Sequence, residues 1–157
     1  MKKILLFIFI PIYPLFSLEV RCNFEEVYQN SEFQQGVFFI KNDMLRYQYY
    51  KHDLFTIIAK SNKFYLVNNH SKAVQKLDKK TEYLETLMTI ISDYPNINNV
   101  YRKNDTHIKI ERGINNFVKR ISIQSEELNL SINVMNCAFD KIDRKYFRHF
   151  NFEDYEG

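Results

Sequence analysis

The chain has 157 residues, 45% of them hydrophobic and 16% aromatic, with eleven Tyr, fourteen Phe, no Trp and a formal net charge of +3. That length fits one hydrophobic core, and the apolar content argues against a disordered chain. Only three Gly and three Pro occur, which argues against glycine-rich phosphate loops, solenoid repeats and low-complexity linkers.

Residues 1–17, MKKILLFIFIPIYPLFS, place Lys2 and Lys3 before an apolar run, Ile4 to Ile10, and end on small Ser17. This order predicts a secretory signal peptide. The alternative is an uncleaved anchor helix, but Pro11 and Pro14 shorten the apolar run below the roughly 20 residues that span a bilayer. Val20 and Arg21 stand where a lipid-modified cysteine at 22 requires small residues, so lipidation of Cys22 is not expected. The expectation is an exported, soluble single domain over residues 18–157. Loss of the first 17 residues leaves 20 basic against 19 acidic residues, a net of +1, and no polyanion or nucleic-acid partner is implied. Export would place Cys22 and Cys137 in an oxidising compartment, where one disulfide is plausible; the alternative is two unpaired buried thiols.

From Val20 the chain alternates: Val20, Cys22 and Phe24 on one face, Arg21, Asn23 and Glu25 on the other. A second strand, Gln34 to Lys41, carries Val37, Phe38, Phe39 and Ile40 and is apolar on both faces, as in a strand covered on both sides. After an Asn42-Asp43 turn, Leu45, Tyr47 and Tyr49 alternate with Met44, Arg46 and Gln48. Leu54 to Ala59 and Phe64 to Val67 flank a Lys-Ser-Asn-Lys hairpin loop, and Val74 to Leu77 is a further short strand. The turns are too short for parallel crossovers, so these strands form an antiparallel meander.

The period then changes. Leu84, Leu87, Met88 and Ile91, broadened by Tyr83 and Ile90, predict a helix over about 80 to 93, capped by Asp78 or Thr81 and ended before Pro95. Strands resume at Val100 to Lys103, Thr106 to Arg112, Phe117 to Ile123 and Leu128 to Val134, a second meander. The segment Asp143 to Phe150 is ambiguous, and its Tyr146, Phe147 and Phe150 would most simply cover one end of the sheet.

Convergent catalytic groups are scarce. The histidines at 52, 70, 107 and 149 lack metal-ligand spacing and read as surface or turn residues, and there is neither a serine elbow nor a phosphate loop. Glu25 and Glu26 are adjacent on a strand, face opposite ways and read as solvated charge. No enzyme activity, cofactor or metal is expected.

One stretch carries a family likeness: Phe24 followed by acidic residues, then QQGVFFIKNDMLRYQYYKHDLFTIIAKSNKFYLVNNHSKAVQKL. It resembles the core of the LolA family of outer-membrane lipoprotein carriers. Gly36, Lys41, Leu45, Arg46, Tyr47 and Tyr49 follow the family's order of a Gly-led apolar strand ending on a basic residue, a turn and a Leu-Arg-aromatic-x-Tyr strand. Ile57, Ile58, Phe64 and Tyr65 continue it, the helix near residue 85 falls where the family inserts helix, and Tyr146 to Phe152 is similar to its closing aromatic motif. The chain departs from the pattern in Asn42 for Pro, Lys41 for Arg, and the absence of the family's long N-terminal helix.

The resemblance implies a mainly β fold with few helices, a highly twisted antiparallel sheet forming an open half-barrel, with a helical insertion packed on the concave face. It implies a monomeric periplasmic carrier that takes lipid-modified proteins from an inner-membrane lipoprotein-releasing ABC transporter to an outer-membrane acceptor. The acyl chains would lie among Phe38, Ile40, Leu45, Tyr47, Tyr49, Ile57, Leu66, Leu84, Leu87, Met88 and Ile91. Lys41, placed on the side of Leu45, would control a helical lid by bonding to its carbonyls, more weakly than Arg. Two alternatives stay open: a related lipid-binding or lipoprotein-sensing module without transport, and a β interaction domain without ligand in which these apolar residues are closed core.

Overall fold

The computed structural model describes residues 19–60, 63–77, 82–93, 96–114, 117–126 and 128–148. The expected signal segment, the candidate caps Asp78 and Thr81, and the aromatics Phe150 and Phe152 lie outside the described residues. The elements run β1 (Glu19–Tyr28), β2 (Phe33–Lys41), β3 (Met44–Tyr49), β4 (Phe55–Lys60), β5 (Lys63–Asn68), β6 (Val74–Leu77), α1 (Glu82–Asp93), β7 (Val100–Lys103), β8 (Thr106–Arg112), β9 (Val118–Gln124), β10 (Asn129–Ala138) and a 3-10 turn, Arg144–Phe147.

The strands form one ten-stranded sheet in the order β6-β5-β4-β3-β2-β1-β10-β9-β8-β7, with β6 and β7 as edges, so the sheet is not closed. Every neighbouring pair is antiparallel. Two meanders, β1 to β6 and β7 to β10, are therefore sewn together at β1 and β10, and α1 belongs to the connection between the two edges.

Two tight hairpins share one device. Asn42 between β2 and β3 has φ 54°, and Asn104 between β7 and β8 has φ 47°. Asn tolerates this left-handed region because its short side chain can bond locally. Proline, whose ring holds φ near −65°, could not occupy position 42 in this turn. Gly36 has a different reason: it lies directly across from Phe24, and a Cβ there would meet the Gln48 carbonyl oxygen at 2.1 Å and the Phe24 ring at 2.5 Å.

Strand alternation divides the apolar residues between two faces. The larger cluster gathers Val20, Cys22 and Phe24 of β1 with Ile40, Leu45, Tyr47, Ile57 and Phe64 on one side, Ile108, Ile123, Leu130 and Ile132 on the other, and Leu84 and Ile90 of α1 above them. The smaller cluster, on the opposite face, packs Val37, Phe39 and Met44 against Ile142 and Phe147. The segment after β10 thus covers the face of β2 and β3 opposite α1, where the sequence placed it over one end of the sheet.

Cys22 and Cys137 form a disulfide across the β1/β10 seam, with Cα atoms 4.1 Å apart. A bulge makes it possible. Between Arg21 and Asn23 of β1 the partner strand runs from Ala138 to Met135, one residue more, and Asn136 in that step takes φ 49°. Regular pairing would set Asn136 beside Cys22 and turn Cys137 to the opposite face; the extra residue brings the sulfur across.

Candidate functional site

The eleven residues expected to shelter acyl chains do share one face. Ile40, Leu45, Tyr47, Tyr49, Ile57 and Leu84 are buried in the larger cluster, and Phe38, Leu66, Leu87, Met88 and Ile91 are partly buried against it. Half of that face, however, is filled. The Phe24 ring stacks on Tyr47 at 4.0 Å between centroids, and Tyr49 meets both rings edge-on, at 5.5 Å from Phe24 and 5.6 Å from Tyr47. These rings pack directly on one another, so among the described residues this part of the face is occupied by aromatic side chains.

Open apolar space lies elsewhere, beside the C-terminal half of α1. A hollow of about 100 Å³ is lined by Phe38, Ile40, Ile90, Ile91 and the Cys22 and Cys137 disulfide, with Phe117 and Phe139 at its rim. These two rings sit 5.1 Å apart and are 39% and 50% exposed, so large apolar surface stands at the mouth. Sequence reasoning missed both as site residues: Phe117 opens a strand pattern and Phe139 follows one, and neither carries a periodic signal. The hollow is smaller than the roughly 300–1,000 Å³ usual for small-molecule pockets. A fatty chain would need α1 to move.

The filled half is anchored by a buried carboxylate. Glu26 is 4% exposed, which overturns its reading as solvated charge. Its Oε2 accepts from the Tyr28 hydroxyl at 2.6 Å and the Tyr49 hydroxyl at 2.8 Å, and its Oε1 from the Tyr47 hydroxyl at 2.7 Å. Burial first, and then the Glu26 charge, push the Tyr47 and Tyr49 phenols well above their ordinary value, so both stay protonated donors. The alternation that puts Val20, Cys22 and Phe24 inside puts Glu26 inside as well. The signal was in the sequence and lost to the general expectation that acids are exposed.

Lys41 does not stand where the resemblance placed it. In the register of β2 and β3, Ile40 lies opposite Leu45 and Lys41 opposite Met44, so Lys41 points to the face away from α1. Its Nζ donates to the Ile142 carbonyl at 2.7 Å and pairs with Glu19 Oε1 at 3.0 Å, while the Ile142 N–H donates to Glu19 Oε2 at 2.6 Å. Arg46, on the same face, donates to the Tyr146 carbonyl at 3.0 Å, and Tyr146 stacks on Phe39 at 4.8 Å. Together these bonds hold the C-terminal segment as a strap on the outer face.

By contrast, α1 is tied by polar contacts to the β7 and β8 side. Lys103 pairs with Glu85 at 2.5 Å, Tyr101 donates to Asp93 at 2.8 Å, and Arg112 donates to the carbonyl of Ile97 just beyond the helix. Among the described residues no group of His, Cys, Asp and Glu could hold a metal ion, and no helix is long and apolar enough to cross a membrane. The sequence matches no family model and no curated protein.

Proposed function

We propose that the protein is a periplasmic carrier that shelters the acyl chains of lipid-modified proteins on the α1-covered face of its sheet and carries them to the outer membrane. The observation that supports this reading is the pairing of an open sheet with an apolar face that α1 covers mainly with carbon. Leu84 and Ile90 are buried there, Leu87, Met88 and Ile91 only partly, and the hollow beside them is bordered by exposed Phe117 and Phe139.

Physically, the task needs no chemistry. Each methylene left in water costs about 0.8 kcal/mol, so a 16-carbon chain costs about 13 kcal/mol, and an apolar face under a movable helix offsets that without directional bonds. A sheet curled into a half-barrel, with α1 across its concave side, would let the chain replace α1 carbon by its own. Near-complete burial of Ile108 on β8 and Ile123 on β9, strands far from β2 and β3, supports such curling.

Native mass spectrometry of the full chain expressed with export is the first test, with copurified lipid as the expected result. Leu87→Glu should abolish lipid uptake while circular dichroism still reports a folded sheet, because a charge on the underside of α1 opposes carbon on both sides. Unchanged uptake would count against the reading. The filled half of the face favours a second reading, a lipid-binding or lipoprotein-sensing module without transport. Release of lipoprotein from inner-membrane vesicles by the purified protein separates the two, since only a carrier releases it.

A further inference from the structure

On the face opposite α1, the end of the strap meets the sheet over a small pocket that the acyl-chain reading does not use. The register of β3, β4 and β5 sets Arg46 opposite Ile58, Gln48 opposite Thr56 and Thr56 opposite Val67, so these five side chains share that face. Among them opens a pocket of about 70 Å³, which they line together with Asn69 of the turn after β5. A single water needs about 10–15 Å³, so the space holds about five non-hydrogen atoms.

Three cations ring it: Arg46 from β3, Lys72 from the turn between β5 and β6, and Arg148 at the end of the strap, with His52 beside them. The lining contains no Asp or Glu, and among the described residues none of the three cations pairs with a carboxylate; Asp143 on the strap pairs with Lys145. The chain has 22 basic and 19 acidic residues, so cations gathered without an acid are not what its composition gives by default. Arg46 is held ready. Its Nε donates to Gln48 at 2.9 Å and its Nη1 to the Tyr146 carbonyl at 3.0 Å, which fixes the guanidinium plane and leaves the Nη2 donors without a partner among the described residues. Burial pulls this guanidinium below its ordinary value, as expected of a cation that has lost water and gained no anion. Lys72 Nζ donates to the Asn69 carbonyl at 2.6 Å and keeps two donors. Thr56 donates to Asn69, and the Asn69 amide to the Tyr49 and Lys51 carbonyls, so the floor is neutral and satisfied, and a ligand's bonds fall to the cations.

We infer that this pocket binds a doubly charged phosphoryl group, soluble or on a lipid headgroup, through Arg46, Lys72 and Arg148. Such a group is one phosphorus with four oxygens, which suits the space, and its oxygens only accept, which suits a ring of donors. An Arg fork meets two phosphate oxygens at once, while Lys supplies a point charge. A carboxylate fits less well, because its single charge leaves the cations unbalanced. The inference is independent of acyl-chain transport and survives its failure.

The test titrates the full chain with inorganic phosphate, followed through the Nε–H resonance of Arg46 in a nitrogen-proton correlation spectrum, with acetate and chloride at equal ionic strength as controls. A saturable shift with phosphate alone is expected. Arg148→Gln with Lys72→Gln, both exposed and so compatible with folding, should weaken it about tenfold or more, the loss expected when charge-assisted bonds go. Lys109→Gln, on β8 in the far half of the sheet, should leave it unchanged. Vesicles give the source: capture by phosphatidic acid vesicles, reversed by phosphate and not seen with phosphatidylcholine, assigns a lipid headgroup, and phosphate binding without capture assigns a soluble phosphate. No saturable response to phosphate, an equal response to acetate or chloride, no loss in the double variant, or an equal loss in Lys109→Gln overturns the inference. A response seen only after Glu153→Gln, Asp154→Asn and Glu156→Gln also overturns it, because the pocket then serves the chain's own carboxylates.

Discussion

The two faces of the sheet are covered in physically different ways. On one, α1 presents Leu84, Leu87, Met88, Ile90 and Ile91, and its polar ties run sideways to β7 through an exposed Glu85–Lys103 pair and a half-buried bond from Tyr101 to Asp93. On the other, the strap after β10 is held by its own backbone, with both the N–H and the carbonyl of Ile142 bound by Glu19 and Lys41. Carbon contacts are non-directional and can be exchanged for other carbon, whereas a desolvated ion pair clamping a peptide unit cannot be loosened without leaving a charge unpaired. The two covers are thus held differently, one mainly by carbon and one mainly by polar bonds.

The strongest way to break this comparison is to cut the seam that both faces share. Replacing Cys22 and Cys137 together by Ala should lower stability by about 4–5 kcal/mol in the chain-entropy account of a loop this long, read as a fall in the urea midpoint. Thiol labelling of the unfolded, unreduced wild-type protein should find no free cysteine. If the double variant loses nothing, the seam is held by strand pairing alone.

Next comes the cover held by polar bonds. Lys41→Ala removes the bond to the Ile142 carbonyl and the pair with Glu19 together and should cost about 3 kcal/mol, with proteolysis beginning in the strap near residues 140–148. A variant in which the strap stays protected would show that Phe39, Ile142 and Phe147 carry it by packing.

A smaller effect is expected inside the α1-covered face. Tyr47→Phe removes one donor from a buried carboxylate and should cost about 1–3 kcal/mol. The same phenols set a pH limit. Because Tyr47 and Tyr49 are raised above the ordinary phenol value in the fold, the folded state holds their protons more tightly than the unfolded chain does. Their contribution is complete below about pH 10 and is lost as pH rises beyond it. Alkaline titration should show unfolding coincide with a late rise in tyrosinate absorbance, and Tyr47→Phe with Tyr49→Phe should reduce that step.

The smallest effect sharpens the contrast from the other side. Glu85→Gln breaks a pair whose side chains are 38% and 49% exposed, and should cost under about 1 kcal/mol, less in high salt. It should also speed hydrogen exchange in α1 relative to the strap, which would mark α1 as the weaker cover.

Much of the architecture was legible in the residues. The expected strands Val74 to Leu77, Val100 to Lys103 and Thr106 to Arg112 coincide with β6, β7 and β8, and the remaining strands and α1 differ at their ends, most in β10, which runs on to Ala138. The candidate site was legible only as a list. That Phe38, Ile40, Leu45, Tyr47, Tyr49 and Ile57 share a face followed from alternation; that Tyr47 and Tyr49 fill it, and that the hollow lies beside the disulfide, did not. Lys41 shows the limit most clearly, since a one-residue offset in a strand reverses the face, and Lys41 follows Ile40 by one.

What the sequence determined by itself is the kind and order of its elements, because periods of two and of 3.6 are properties of neighbouring residues along one chain. Only the tertiary structure decided that β1 pairs with β10, that a bulge at Asn136 turns Cys137 toward Cys22, and that Glu26 goes inside with three phenols around it. Each of these depends on a partner more than 20 residues away or on an extra residue in the ladder, and a buried charge is tolerable only once such partners exist to receive it.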